Sequence, residues 1–222
     1  VDVMKRMGLG TDPPFLANAL GAGETTVARM VNAYSILANQ GRGNAPTVID
    51  FAQDRRGRVI WPERWRACDG CNAPDWNGKA MPRPPSGQRQ VIDAMTAFQM
   101  VHITEGVIQR GTATTLRELD RPIFGKTGTT NGPTDVWFVG YTPDLVASVW
   151  FGMDRPQTVV AGASGGTIAA PVWGRIMQRI YAAGRRTPLA WSPPAGVVTE
   201  QVDRATGYAV DGQCPPRGPV YT

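Results

Sequence analysis

The sequence has 222 residues, of which 42% are hydrophobic, and it carries a net charge of +5 at pH 7. This length fits one large domain, or one domain with a small appendage, and the apolar fraction is enough to fill a core. The longest apolar run covers residues 145–153, which is too short for a membrane-spanning helix of roughly 20 residues.

The excess of basic residues favours an anionic partner such as nucleic acid, a phospholipid surface or an acidic wall polymer. Many of the arginines fall in one loop-like region, where such side chains are usually just solvated: Arg55, Arg56, Arg58, Arg64 and Arg66. We therefore expect no nucleic-acid partner.

The first third of the chain predicts a helix, a hairpin and a long loop. Within residues 13–40, apolar side chains recur at helical spacing after a threonine pair that can cap a helix, and Gly41 ends the run. Two short extended pieces, residues 48–51 and 58–61, flank the turn at residues 54–57, which is typical of a hairpin. The proline-rich residues 62–88 predict the long loop.

Apolar residues return at helical spacing over residues 90–110, which predicts a second helix that ends at Gly111. His102 lies within this helix, with no second histidine or nearby cysteine to form a metal site. We interpret it as a packed residue without a catalytic role.

Three strands are predicted over residues 123–129, 134–141 and 146–153, and their short connections imply antiparallel pairing. Aromatic and β-branched side chains occupy both faces of these strands, as expected when helices cover each side of a sheet. One covering helix is predicted over residues 169–183. The expected fold class is therefore α+β, with an antiparallel sheet between helical layers.

The composition changes after Arg186 to proline, glycine and β-branched residues. This change predicts a main domain over residues 1–186 and a small β-hairpin appendage over residues 187–222.

The cysteines leave several interpretations open. Cys68 and Cys71 lie in the predicted loop, and a zinc site would need distant Cys214 and His102 to complete four ligands. A redox pair should open a helix after a strand, and prolines surround this one. A short-loop disulfide in an oxidising compartment and two unpaired buried thiols both remain, and we expect no metal and no cofactor.

Two segments partly match known functional motifs, a phosphate-binding loop and a serine-hydrolase nucleophile elbow, but neither match is complete. Gly125-Lys126-Thr127 lacks the earlier glycine of a phosphate-binding loop, because position 120 is aspartate, and a strand follows it. Residues 162–166 match the nucleophile elbow of serine hydrolases, but no histidine follows Ser164 to act as its base. We expect a structural glycine-rich turn at Ser164.

The motif Lys126-Thr127-Gly128-Thr129 has coherent chemistry on the edge of a strand that lines an acyl-transfer cleft. Alternation would place Lys126 and Gly128 on one face and the two threonines on the other. Lysine offers a positive charge, threonine hydroxyls can donate to a carboxylate, and glycine permits close approach of a substrate.

The surroundings of this motif strengthen the signal. Gly125-Lys-Thr-Gly-Thr-Thr-Asn-Gly132 continues into Thr134-Asp-Val-Trp-Phe-Val-Gly-Tyr-Thr-Pro143. This sequence resembles the C-terminal part of the transpeptidase domain of class A penicillin-binding proteins, the bifunctional peptidoglycan synthases. The resemblance extends over nearly the whole chain, through residues 19–26, 33–41, 111–113 and 169–173, and the Cys68 to Cys71 loop and the C-terminal tail also look like features of some members.

The resemblance implies a serine β-lactamase-like fold and a D,D-transpeptidase that joins peptidoglycan stem peptides through an acyl-serine intermediate. Thr127 and Thr129 would meet the terminal carboxylate of D-Ala-D-Ala or of a β-lactam. The Thr129 amide would serve the oxyanion hole, which gives Thr129 and Lys126 catalytic roles, and Gly128 would line the substrate site.

The sequence departs from the family pattern in one respect. Enzymes of this group also use S-x-x-K and S-x-N motifs, and none of the five serines here begins either one. The family order puts both motifs upstream, so we expect a fragment that is inactive alone and acts with the upstream part of the same protein. An N-terminal anchor outside the chain would hold it at the periplasmic face of the inner membrane.

Two other functions remain open. A carboxypeptidase or serine β-lactamase uses the same motif with water as the acceptor. A noncatalytic wall-binding module would need no serine nucleophile.

Overall fold

The structure is a computed structural model that describes residues 1–10, 13–49, 51–61, 75, 77–79, 87–184, 190–210 and 219–221. Within these ranges, no helix is both long and apolar enough to cross a bilayer.

Short helices open the chain. Helix α1 covers Asp2–Arg6, a 3₁₀ turn covers Leu16–Leu20, and helix α2 covers Val27–Ala38. The Thr26 side chain caps α2 by accepting a hydrogen bond from the Arg29 amide at 3.3 Å. Because Gly41 takes a positive φ of 80° after α2, the predicted end of the helix is confirmed.

Two small antiparallel pairs follow α2. Strand β1 (Arg42–Gly43) pairs with β4 (Arg89–Gln90), and β2 (Ala52–Gln53) pairs with β3 (Val59–Trp61). The predicted hairpin is present, and its second strand falls within the predicted residues 58–61, but its first strand begins at Ala52 rather than within residues 48–51. Its turn is held by Asp54, whose carboxylate accepts hydrogen bonds from the Arg56 and Arg58 amides at 2.9 and 3.0 Å.

Helix α3 covers Ala94–Gln109 and begins four residues later than the sequence pattern suggested. Gln90, where the predicted helix began, lies instead in β4 opposite Arg42. The start is set by Asp93, because its carboxylate accepts hydrogen bonds from the Met95 and Thr96 amides at 3.0 Å.

The three predicted strands form one antiparallel sheet in the order β5, β6, β7. A 3₁₀ segment at Thr114–Leu119 precedes β5 (Phe124–Thr129), which pairs with β6 (Val136–Tyr141), and β7 (Val146–Phe151) completes the sheet. In this register Thr127 lies opposite Phe138. The prediction of three antiparallel strands is confirmed.

The chain then returns across the sheet. A π-helical turn at Gly165–Ala169 leads directly into helix α4 (Ala170–Ala183), and Pro171 lies in the first turn of α4, where proline is tolerated. Strands β8 (Val202–Asp203) and β9 (Val220–Tyr221) pair near the C-terminus.

One apolar cluster, called here the α4 core, fills the space between the sheet and α4. Trp173 on α4 is fully buried, its ring meets Phe138 edge to face at 5.4 Å, and its indole N–H donates to the Ala147 carbonyl at 3.1 Å. The α4 core consists of Ile108, Ala113, Leu116, Ile123, Val136, Phe138, Ala163, Ala169, Ala170, Trp173 and Met177.

A second cluster, called here the α2–α3 core, lies on the opposite face of the sheet. Its members are Met7, Ala33, Ile36, Leu37, Ile92, Ala97, Val101, Phe124 and Tyr141. Tyr141 is buried and its hydroxyl is hydrogen-bonded to Thr104. Helices thus cover both faces of the antiparallel sheet, which confirms the predicted α+β fold class.

Trp191 comes from the segment that the sequence assigned to an appendage, and it packs on the α2–α3 core. Its ring meets Phe124 edge to face at 4.6 Å, and its indole N–H donates to the Ala38 carbonyl at 2.7 Å. Trp191 thereby ties its part of the segment to the main domain, while the domain boundary after residue 186 stays a prediction.

Replacing Trp173 should show how far stability depends on the α4 core. We expect Trp173→Ala to lower the free energy of unfolding by about 3–5 kcal/mol, because it opens a cavity and removes a ring contact. Urea denaturation of the purified chain measures this change. Ile176→Ala is the matched control on the same helix, since Ile176 is 42% exposed. Similar losses in both variants would contradict the assignment.

Tyr141 should make the chain sensitive to alkali. Burial is the main reason why the pKa of Tyr141 is raised above its ordinary value. The folded state therefore holds the proton more tightly, so stability is complete below a pH of about 10 and falls as the pH rises further. Urea denaturation between about pH 8 and 11 should show a shallower loss for Tyr141→Phe. Parallel curves would count against this explanation.

Candidate functional site

The motif Lys126-Thr127-Gly128-Thr129 forms the second half of β5, at one edge of the sheet. The Phe138 carbonyl on β6 accepts a hydrogen bond from Ser148 on β7 at 3.3 Å, so the peptide group of Phe138 faces β7. Its partner on β5, Thr127, therefore directs its N–H and C=O outward, and alternation directs the Thr129 N–H the same way. No strand covers this edge in the described part of the chain.

The side chains of the motif alternate as the sequence predicts. Lys126 and Gly128 lie on the face that carries Phe124, and Thr127 and Thr129 lie on the face covered by α4. Lys126 is exposed, and its ammonium group donates to the Thr127 carbonyl at 2.8 Å on the outer edge. A positive charge, two hydroxyls and outward amides are thus gathered at one edge of the sheet.

Two contacts hold the threonine hydroxyls. Thr127 Oγ1 lies 2.7 Å from Thr112 Oγ1, and Thr129 Oγ1 accepts a hydrogen bond from the Gly165 amide at 3.0 Å. Sequence patterns assign Thr112 no role, although the segment Gly111-Thr-Ala113 contributes to the family resemblance. The contact depends on how the turn after α3 folds back onto β5, which no local pattern of residues reveals.

Ser164 helps to shape the turn through its side-chain and backbone hydrogen bonds with Thr167. Its hydroxyl accepts a hydrogen bond from the Thr167 amide at 3.2 Å, and the Thr167 hydroxyl accepts one from the Ser164 amide at 3.0 Å. These reciprocal bonds cap the helical segment that leads into α4. The predicted structural role of this glycine-rich turn is confirmed.

The turn from β5 to β6 is also fixed by hydrogen bonds. The Thr130 hydroxyl accepts from the amides of Thr134 and Asp135 at 3.1 and 2.8 Å. The Asp135 carboxylate in turn accepts from the indole N–H of Trp150 on β7 at 3.0 Å. The end of the motif strand is therefore tied to the far strand of the sheet.

The other candidate residues stand apart from the motif. Cys68 and Cys71 lie outside the described residues, as does Cys214, so the disulfide stays a prediction. His102 lies on α3 with its side chain 59% exposed, 3.6 Å from the Glu105 carboxylate. The interpretation of His102 as a packed residue is wrong, because it occupies the solvent side of the helix.

Comparison with known proteins identifies the family. The sequence profile described as the penicillin-binding protein transpeptidase domain matches residues 11–178. This chain belongs to that family. The chain is 36% identical to penicillin-binding protein 1A of Rickettsia bellii over 210 residues, which cover 93% of the chain and 26% of that relative. It is 39% identical to penicillin-binding protein 1A of Neisseria lactamica over 187 residues, covering 84% of the chain and 21% of the relative.

The structure of this penicillin-binding transpeptidase chain matches solved members of the family. Penicillin-binding protein 1A from Haemophilus influenzae superposes with a TM-score of 0.75 at 26% identity, over 98% of this chain and 35% of that one. Measured against the curated relatives named above, the chain spans roughly a quarter of their length. The expected family and fold are both confirmed.

Gly165 should tolerate no side chain. A Cβ at Gly165 would lie 2.2 Å from the Trp137 carbonyl oxygen and 2.9 Å from Thr127 Cβ. We expect Gly165→Ala to cost about 1–3 kcal/mol of unfolding free energy and to shift the amide resonances of Thr127 and Thr129. Urea denaturation and ¹H–¹⁵N NMR spectra measure the two effects.

Gly106→Ala is the matched control for this substitution. The atoms nearest to its Cβ would belong to the flexible Arg110 side chain, the first at 3.2 Å, and alanine is the better helix former inside α3. We expect this variant to be neutral or slightly stabilising. An equally stable Gly165→Ala chain with unchanged spectra would disprove the close packing.

Proposed function

We propose that this chain is the C-terminal part of a peptidoglycan D,D-transpeptidase that cross-links stem peptides through an acyl-serine intermediate and is acylated by β-lactams. The observation that carries the proposal is the edge strand β5, which combines Lys126, two threonine hydroxyls and outward amides at one site. Membership of the penicillin-binding transpeptidase family supports the same conclusion.

The chemistry follows from the positions of these groups. The hydroxyls of Thr127 and Thr129 bind the terminal carboxylate of D-Ala-D-Ala or of a β-lactam. The outward Thr129 amide donates to the oxyanion as it develops, an interaction worth roughly 3–4 kcal/mol in the transition state. The exposed Lys126 ammonium adds a positive charge that attracts the anionic substrate and stabilises the negative charge of the reaction.

The serine nucleophile comes from another part of the parent protein. None of the five serines of the chain begins an S-x-x-K or S-x-N motif, and Ser164 is engaged in capping. The relatives are several times longer than this chain, which leaves room for a segment that brings the nucleophile to β5. The isolated chain then binds substrate weakly and forms no acyl-enzyme.

The parent protein works at the periplasmic face of the inner membrane, where stem peptides and β-lactams are accessible. Its partners are peptidoglycan stem peptides, β-lactams and the upstream part of the same protein. Whether the acyl group passes to an amine or to water separates a transpeptidase from a carboxypeptidase or β-lactamase.

Intact mass measurement tests the proposal. The purified chain is incubated with benzylpenicillin alone and then together with the upstream segment of its parent, supplied as a separate polypeptide. We expect a penicilloyl adduct on the added segment and none on this chain. An adduct on this chain alone would overturn the assignment of the nucleophile, and no adduct in either case would favour the wall-binding module.

Variants of Lys126 sharpen the same test. In the parent protein, Lys126→Met should slow acylation by about 100-fold or more, because a preorganised charge at the reacting centre is lost. Lys5→Met on α1 is the matched control and should acylate at the normal rate. Stopped-flow fluorescence with a labelled penicillin gives both rates, and equal rates would remove Lys126 from the mechanism.

A further inference from the structure

The two threonine hydroxyls of the motif are each held by a second group that has no assigned role. The Gly165 amide donates to Thr129 Oγ1 at 3.0 Å, and Thr112 Oγ1 lies 2.7 Å from Thr127 Oγ1. A hydroxyl has a single hydrogen and rotates to suit its neighbours, so these partners decide where each O–H can point.

The Thr129 hydroxyl is left as a donor. Its oxygen already accepts from the Gly165 amide, and no acceptor for its own hydrogen is found in the described part of the chain. The O–H of Thr129 is therefore available to an incoming anion. A hydroxyl that accepts one hydrogen bond is also polarised to donate a stronger one.

Thr112 can act on Thr127 as the Gly165 amide acts on Thr129, by donating a hydrogen bond to its hydroxyl oxygen. When the Thr112 hydroxyl donates to Thr127 Oγ1, the Thr127 hydrogen is released to point away from Thr112. An anion beside Thr127 selects this arrangement, because it requires a donor and repels a lone pair. Each threonine hydroxyl of the motif then accepts one hydrogen bond from its protein partner and can donate its own hydrogen to the bound anion.

The backbone at Thr112 is held rigidly enough for this role. A Cβ at Gly166 would lie 2.0 Å from the Thr112 carbonyl oxygen, so the glycine-rich turn packs directly against the Thr112 backbone. The neighbouring Gly165 supplies the amide that holds Thr129. The turn at Gly165 and Gly166 therefore positions both Thr112 and the Gly165 amide, which fixes the two threonine hydroxyls relative to each other.

The spacing of the hydroxyls fits one carboxylate. Thr127 and Thr129 lie two residues apart on the same face of β5, which is about 7 Å along the strand. One carboxylate can bridge this span when each oxygen accepts a hydrogen bond of about 2.7 Å from one hydroxyl.

We infer that Thr112 and the Gly165 amide are positioning groups that orient the Thr127 and Thr129 hydroxyls as paired donors to the terminal carboxylate of the substrate. This inference rests on the proposed function, because it assumes that β5 binds that carboxylate. Thr112 itself acts through Thr127.

Acylation of the parent protein by two matched probes tests the role of Thr112. One probe is a fluorescent β-lactam with its free carboxylate, and the other is the methyl ester of the same compound. Thr112→Val should lower the second-order acylation rate constant for the carboxylate probe by roughly 10-fold to 100-fold. The rate for the ester should change less than about twofold, because no anion is there to be oriented.

Three further variants complete the test. Thr112→Ser keeps the hydroxyl and should restore the rate for the carboxylate probe. Thr115→Val, an exposed threonine three residues away, should acylate at the normal rate with both probes. In a chain that already carries Thr127→Val, adding Thr112→Val should cost little more, because the two residues act as one unit.

The outcomes separate the inference from the proposed function. Equal losses for both probes, or no rescue by serine, would mean that Thr112 is only structural and would overturn the inference. An unchanged rate in Thr112→Val would overturn it as well. If the unaltered parent protein were acylated by neither probe, the proposed function would fail, and the inference with it.

Discussion

The close approach of the glycine-rich turn to the sheet is the contact on which the site depends. With no side chain at position 165, the turn backbone reaches the Trp137 carbonyl and Thr127 directly. Gly166 in the same turn packs on the carbonyl of Thr112. Three segments that are distant in sequence therefore meet backbone to backbone, and only glycine permits such approach without strain.

The packing on either side of the sheet makes this contact rigid. The π-helical turn runs straight into α4, and α4 is anchored by the buried ring of Trp173 against Phe138. The Trp173 indole also donates to the backbone of β7, so the helix cannot slide without losing this partly buried hydrogen bond. On the far face, Trp191 closes the α2–α3 core against Phe124, at the start of the motif strand. The apolar layers thus fix the position of β5 from both sides.

The sequence predicts the parts of this arrangement that depend on local pattern. The period of apolar residues located α2, α4 and the three strands, and the alternation within β5 correctly divided Lys126 from the two threonines.

Two errors have local causes. The helical period continued back to Gln90, but the Asp93 cap sets the start of α3 and Gln90 pairs with Arg42. His102 is interpreted as a packed residue because no second histidine or cysteine lies near it in the sequence, whereas its position on α3 faces solvent. The partnership of Thr112 with Thr127 could not be predicted, since it requires the path of the turn between α3 and β5.

The edge position of β5 brings a cost as well as a function. An uncovered strand exposes N–H and C=O groups that can pair with another chain, and proteins commonly protect such edges by keeping them short and placing lysine on them. β5 has six residues, and the Lys126 ammonium lies at the Thr127 carbonyl on the open edge. The same lysine that serves the proposed chemistry therefore also discourages nonspecific pairing. Under the proposed function, the site leaves backbone amides open to its substrate and is protected by the same charge that assists acylation, so one residue meets both constraints.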